Sequence, residues 1–187
     1  NDNYWAAKPY LDGVTFTVVT EAEQALNGLQ SGDIDMTGLS GESIKLARED
    51  KNLTVLEMAA LQFSYIYFNM VNGPTADKNV RKALIMGVSR EDLCNAIYLY
   101  NSATPADLPL PPGSWGYDAS LEDLVPDYDP EGAKALLADA GYADGLDLDF
   151  YTSDSKGSVD MATVAQAEWQ QIGVNIVKKA LAAPVAT

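Results

Sequence analysis

The stretch YIYFNMVNGPTADKNVRKALIMGVSRE, residues 65–91, decides the fold. It opens with a short aromatic strand, Tyr65-Ile66-Tyr67-Phe68-Asn69. A Gly73-Pro74 loop follows, then two helices started by Asp77 and Ser89. Side chains alternate along a strand, so Tyr65 and Tyr67 share one face while Ile66 and Phe68 take the other, toward a core. Asp77 stands as N-cap before Val80-Arg81-Lys82-Ala83-Leu84. Ser89 with Asp92 three residues on has the form of a capping box for Leu93 to Tyr98. Nothing in this stretch looks like a catalytic device.

Outward from it the chain alternates strands and helices. Val14 to Val19 is β-rich, and Ile34–Met36 and Leu53–Met58 are two further strand candidates. Thr20 is placed to cap a helix whose Ala22, Ala25, Leu26 and Leu29 recur at helical spacing, with Gly32 at its end. Ser40 or Ser43 starts the helix carrying Ile44, Leu46 and Ala47. Asp129-Pro130-Glu131 puts a cap, a proline at the first helical position and an acid in the first turn. Ala133, Leu136, Leu137 and Ala140 form the buried face of that helix, closed by Gly141. Leu146 to Tyr151 alternates as a strand with one wet face. Ser158 to Ile172 is a helix with Met161, Val164, Ala165, Trp169 and Ile172 inward, ended by Gly173. Val174 to Val177 is the last strand. The pattern predicts an α/β fold, a mixed β-sheet with flanking helices, in a single domain over 1–187.

Composition narrows the function. The net charge of −15, from 27 acids against 12 bases, repels phosphates and anionic lipid heads, so nucleic acid is not an expected partner. The bland reading of this charge is a well-hydrated surface. Histidine is absent, which removes the commonest general base, every Ser-His or Cys-His nucleophile and most zinc sites. Cys94, the single cysteine, lies within a helix as a small hydrophobe. Asp33-x-Asp35-x-Thr37-Gly38 starts like a calcium loop, but Ile44 stands where a bidentate Glu is needed. No cofactor, metal or catalytic residue is expected, and an enzyme is not. A carboxylate-dependent hydrolase is the weakest alternative.

Six segments carry a family likeness in order. They are Lys8-Pro9-Tyr10-Leu11-Asp12, the run from Ala25 to Met36, and the strand, Asn69 and Asp77-x-x-Val80-Arg81-x-Ala83-Leu84. Leu110 to Tyr117, Tyr128 to Tyr142, and Glu168-Trp169-Gln170-Gln171-Ile172-Gly173-Val174 complete the set. Together they resemble the family 5 extracellular solute-binding proteins, the dipeptide- and oligopeptide-binding kind that serve ABC importers. The resemblance implies one lobe of a type II periplasmic-binding-protein (class C) fold. It also implies that the larger lobe of the parent protein lies outside this chain. A peptide or other small solute and an ABC permease are the partners it implies. The location it implies is periplasmic or extracellular and membrane-associated, with a lipid-anchored cell-surface form as one option. A free-standing protein-interaction domain is the alternative.

Eight residues are candidate ligand contacts. Tyr65 and Tyr67 face away from the core, and Asn69 either meets ligand backbone or, by preference, satisfies the turn before Gly73-Pro74. Trp115 and Tyr117, in the Pro-rich segment from Asn101 to Tyr128, either stack on a ligand or anchor that segment. Thr152, Ser153 and Asp154 form a polar loop at a strand's end. They lie where members of the family touch ligand, and equally where the next helix needs a cap.

Overall fold

A computed structural model describes residues 4–8, 10–58, 60–98 and 102–181. Pro9 of the first likeness segment and Asn101 lie outside the described residues. The chain divides into two compact units, residues 1–56 and 57–187.

In the first unit, α1 (Ala22–Ser31) and α2 (Glu42–Glu49) pack through buried Ala25, Leu26 and Ala47. The apolar spacing sets α1, and Gly32 ends it in the left-handed conformation, φ 80°, that favours glycine. Thr20 is not the cap: Glu21 holds the N-cap position without a side-chain bond. Gly41 precedes α2, also without a side-chain bond, so Ser40 and Ser43 do not cap it, and Ser43 is buried instead. Gln30 Nε2 donates to Asp50 Oδ2 at 3.0 Å and ties the two helices together.

The second unit is built on the strand pair β1 (Leu146–Ser153) and β2 (Val174–Leu181). They run parallel, in register from Leu146 opposite Val174 to Ser153 opposite Leu181. Parallel neighbours need a crossover, and α6 (Lys156–Gln171) supplies it. Helices α3 (Lys78–Met86), α4 (Arg90–Ile97) and α5 (Pro130–Leu137) complete the layers. The core joins Val80, Ala83 and Leu84 of α3 and Ala133 and Leu137 of α5 to Ala165 and Trp169 of α6. Leu146, Val174 and Ile176 add the inner face of the strands. The architecture is α/β, as the alternation predicts. Among the described residues, however, the sheet is this one parallel pair. The segments 14–19, 34–36, 53–58 and 65–69 form no ladder.

Three caps fall where the sequence put them. Asp77 Oδ1 accepts from Asn79 N–H at 2.7 Å, Ser89 Oγ from Asp92 N–H at 3.1 Å, and Asp129 Oδ1 from Gly132 N–H at 2.9 Å. The reciprocal half of the Ser89 box is missing, because Ser89 N–H donates to Glu168 Oε2 of α6 at 2.6 Å. The adjacent Trp169 sends its indole N–H to the Leu84 carbonyl at 2.8 Å, inside the core. One turn of α6 therefore grips the end of α3 and the start of α4. Glycine fits closely between them: a Cβ on Gly87 would sit 2.4 Å from Ile172 Cδ1, so that side chain would have to shift. Cys94 is half-buried, and desolvation pushes its thiol pKa up, which disfavours the thiolate.

Candidate functional site

Tyr65–Asn69 is extended and alternates as the sequence predicts. Ile66 and Phe68 pack on the core, and Tyr65 and Tyr67 face out. Their rings meet edge-on at 4.4 Å between centroids, and Phe63 adds a third ring 5.0 Å from Tyr65. The hydrogen bond with Tyr65, and the charge each would place on the other, raise the Tyr67 pKa. β1 alternates in the same sense. Leu148 and Phe150 pack on the same core while Asp147, Asp149, Tyr151 and Ser153 face out.

A cavity of about 870 Å³ lies between these two extended segments. Tyr65, Tyr67, Asn69, Thr152 and Ser153 all line it, so five of the eight candidate contacts come together. Asp147, Asp149, Tyr151, Asn72 and Ser158 line it as well and were not singled out. The alternation of 146–151 was the signal for three of them, since it places both acids and Tyr151 on the wet face. Lys179 Nζ meets Asp149 Oδ2 at 2.6 Å and lies 5.5 Å from the centre of the Tyr151 ring. The Asp149 carboxylate raises the Lys179 pKa. Asp147 accepts from Asn175 Nδ2 at 3.0 Å. Both bonds cross between β1 and β2 on the outer face, where solvent screening keeps the ion pair weak.

Asn69 serves its turn. Its Oδ1 accepts from Val71 N–H at 3.0 Å and its Nδ2 donates to Asn72 Oδ1 at 2.7 Å. The Asn69 carbonyl accepts from Thr75 Oγ1 at 2.8 Å. The hydroxyls of Ser153 and Ser155 both lie within hydrogen-bond distance of Ser158 Oγ, and Ser155 Oγ caps α6 at Ser158 N–H, 3.4 Å away. The loop after β1 is thus a helix cap that also edges the cavity. Asp154 is exposed beside it and does not line it.

Trp115 and Tyr117 lie away from the cavity. Trp115 is fully exposed at 103%, so it does not anchor the Pro-rich segment. Tyr117 bonds Glu122 inside that segment, which raises its pKa. The anchor is Arg90 of α4, whose Nε meets Asp107 Oδ1 at 2.9 Å and whose Nη2 donates to the Pro126 carbonyl at 3.2 Å. A guanidinium fork reaches two points of a loop at once, which a single indole cannot do. Among the described residues no cluster of acids and Cys could hold a metal, and no helix is long and apolar enough to cross a membrane.

The description "Bacterial extracellular solute-binding proteins, family 5 Middle" matches residues 1–185. Among curated relatives, the dipeptide-binding protein of Escherichia coli K12 is 30% identical over 92% of this chain and 33% of its own length. Heme-binding protein A of Haemophilus influenzae is 32% identical over 93% of this chain and 32% of its own. A Helicobacter pylori periplasmic binding protein solved with the peptide STSA superposes with TM-score 0.76 and 26% identity. It covers 97% of this chain and 35% of its own. The substrate-binding protein CtaP of Listeria monocytogenes gives TM-score 0.82 and 25% identity over 97% and 37%. The chain spans about a third of the length of the curated relatives it matches.

Proposed function

The chain belongs to the bacterial extracellular solute-binding proteins of family 5, and we propose that residues 1–187 form one lobe of a longer protein that captures peptides for an ABC importer. The fold is that of a type II periplasmic-binding-protein lobe, and the family binds solutes rather than turning them over. The observation that carries the reading is the outward face of the second unit. There the Tyr65–Tyr67 rings, the Thr152–Ser153 edge and the polar face of β1 gather around one cavity with no catalytic constellation. Aromatic faces and short hydroxyls suit an extended peptide, whose backbone needs hydrogen bonds and whose side chains need room. The larger lobe would close over this face by a hinge motion, and the loaded clamp would dock on the permease outside the cytoplasmic membrane. The parent protein is periplasmic or extracellular and held at the membrane, with a lipid anchor as the simplest tether.

Titration calorimetry of the parent protein with a mixed dipeptide and tripeptide library tests the reading. Binding that weakens by at least about tenfold in Tyr67→Ala, the loss of one aromatic contact, supports it. Unchanged affinity in that variant and in Thr152→Ala would remove this face from the site.

A further inference from the structure

The dipeptide Asn-Gly occurs twice in this chain, as Asn27-Gly28 and as Asn72-Gly73. In this pairing a side-chain amide is open to attack by the next backbone nitrogen, because glycine puts no side chain beside that nitrogen. The fold treats the two copies differently. Gly28 lies inside α1, where the helix ladder holds its N–H on the carbonyl four residues back. Ile34 Cδ1 also closes over it, 2.7 Å from where a Cβ would stand. The Gly28 nitrogen is neither free nor open.

Asn72-Gly73 is the opposite case. Both residues are exposed, in the turn between Tyr65–Asn69 and the short helical turn Pro74–Ala76. Among the described residues the Gly73 N–H donates to no acceptor. Nothing beyond its chain neighbours comes within 4 Å of where a Gly73 Cβ would stand. Its φ of 75° strains any residue with a Cβ, so the turn keeps glycine where the attack needs it. Asn72 Oδ1 accepts from Asn69 Nδ2 at 2.7 Å, which draws electron density from Asn72 Cγ and makes that carbon the better electrophile.

We propose that Asn72 is a self-modification site, its carboxamide converted to aspartate and isoaspartate through a cyclic imide with Gly73. The Gly73 nitrogen gives its proton to hydroxide and bonds Asn72 Cγ. The Cγ–Nδ2 bond breaks, and that nitrogen leaves as ammonia with a proton from water. Water then opens the ring at one of two carbons. Attack at Cγ breaks its bond to the Gly73 nitrogen and restores the main chain, leaving aspartate. Attack at the Asn72 main-chain carbonyl carbon breaks the original peptide bond, and the chain then runs through Cβ and Cγ as isoaspartate. The net change is one water consumed and one ammonia released, with nothing oxidised or reduced. Either product adds a negative charge to the cavity edge, which Asn72 lines. Isoaspartate also adds a main-chain carbon to a turn tied by the Asn69 side chain at one end and by the Thr75 hydroxyl at the other. The rim of the cavity then has to re-form.

The inference stands apart from the transport reading, and peptide mapping by mass spectrometry tests it. The parent protein is incubated at mildly alkaline pH, folded in one sample and unfolded in urea in another. The peptides holding Asn27 and Asn72 are followed for the unit mass gain of amide to acid, and isoaspartate is scored by methyl transfer specific for that residue. In urea both sites should convert, which sets the intrinsic rate. In the folded protein Asn72 should convert at a comparable rate, and Asn27 slower by at least about tenfold, because its helix must first open. Asn72→Gln, whose longer side chain closes a six-membered ring far less readily, should abolish the gain in that peptide. Folded protein in which Asn72 stays intact while the unfolded sample converts would overturn the proposal. Equal conversion of Asn27 and Asn72 in the folded protein would overturn it too, since the turn would then contribute nothing. So would a mass gain that persists in Asn72→Gln, by placing the reaction at another residue.

Discussion

Replacing Trp169 by Phe should destabilise the second unit by about 2–4 kcal/mol, from an orphaned buried carbonyl and a smaller ring in a closed core. Trp169 is 2% exposed, and its indole N–H is the bond that satisfies the Leu84 carbonyl near the end of α3. The last carbonyls of a helix have no partner within it, so this bond does the work of a C-terminal cap from a distance. Phenylalanine keeps the contact with Phe150 but has no donor. The orphaned acceptor costs about 1–3 kcal/mol, and the lost part of the ring adds the remainder. For a unit of this size, that loss lowers Tm by roughly 6–15 °C. Urea unfolding followed by far-UV circular dichroism reads the change directly, with Trp115→Phe as control. Trp115 is fully exposed, so that variant should stay within about 0.5 kcal/mol of the parent sequence. A Trp169→Phe variant equal to the Trp115→Phe control would refute the reasoning that α6 holds the α3–α4 junction.

Gly87→Ala should cost about 1–3 kcal/mol by overpacking, because its Cβ meets Ile172 Cδ1; trimming the partner with Ile172→Val in the same chain should recover part of it, and urea midpoints measure both. Glu168 gives a pH prediction. Desolvation, then the nearby Asp92, raises its pKa above the ordinary 4.5, against the Ser89 N–H that lowers it. A carboxyl whose folded pKa is raised binds its proton more tightly in the folded state. Its contribution is therefore present below the unfolded pKa and is lost as pH rises through the folded one. Thermal melts should show stability falling in that window, and Glu168→Gln should flatten the fall. An identical pH profile for the variant would exclude Glu168 as its source.

Much of the fold was legible because local chemistry and tertiary packing agree. Asp77, Ser89 and Asp129 cap helices in the structure because short polar side chains satisfy free N–H groups wherever a helix begins. β1 and β2 were legible from alternation, and both run on beyond the predicted ends, where pairing carries them past the apolar pattern. Segments 14–19 and 65–69 read as strands for the same reason, yet form no ladder among the described residues. A strand needs a partner, and propensity cannot supply one. Phe16 and Val18 stand 91% exposed, apolar residues on a segment with no ladder.

The candidate site was legible in part. The face of Tyr65 and Tyr67 follows from period two, and so do Asp147, Asp149 and Tyr151, once both segments are known to meet at one cavity. That meeting is a long-range fact that no local pattern encodes. Trp115 misled because an aromatic in a Pro-rich loop suggests an anchor, while the anchoring comes from Arg90 on α4, a helix away. Glu168 was missed as a partner of Ser89 because the capping box offered Asp92 for the same N–H.

The central claim is that this chain is one jaw of a two-lobed clamp. Titration calorimetry of the 187-residue chain and of its parent, with the same dipeptide and tripeptide library, tests it most directly. The expected result is tight binding by the parent and weak or undetectable binding by this chain, since half a cleft leaves the ligand half solvated. Micromolar binding by this chain alone would contradict it.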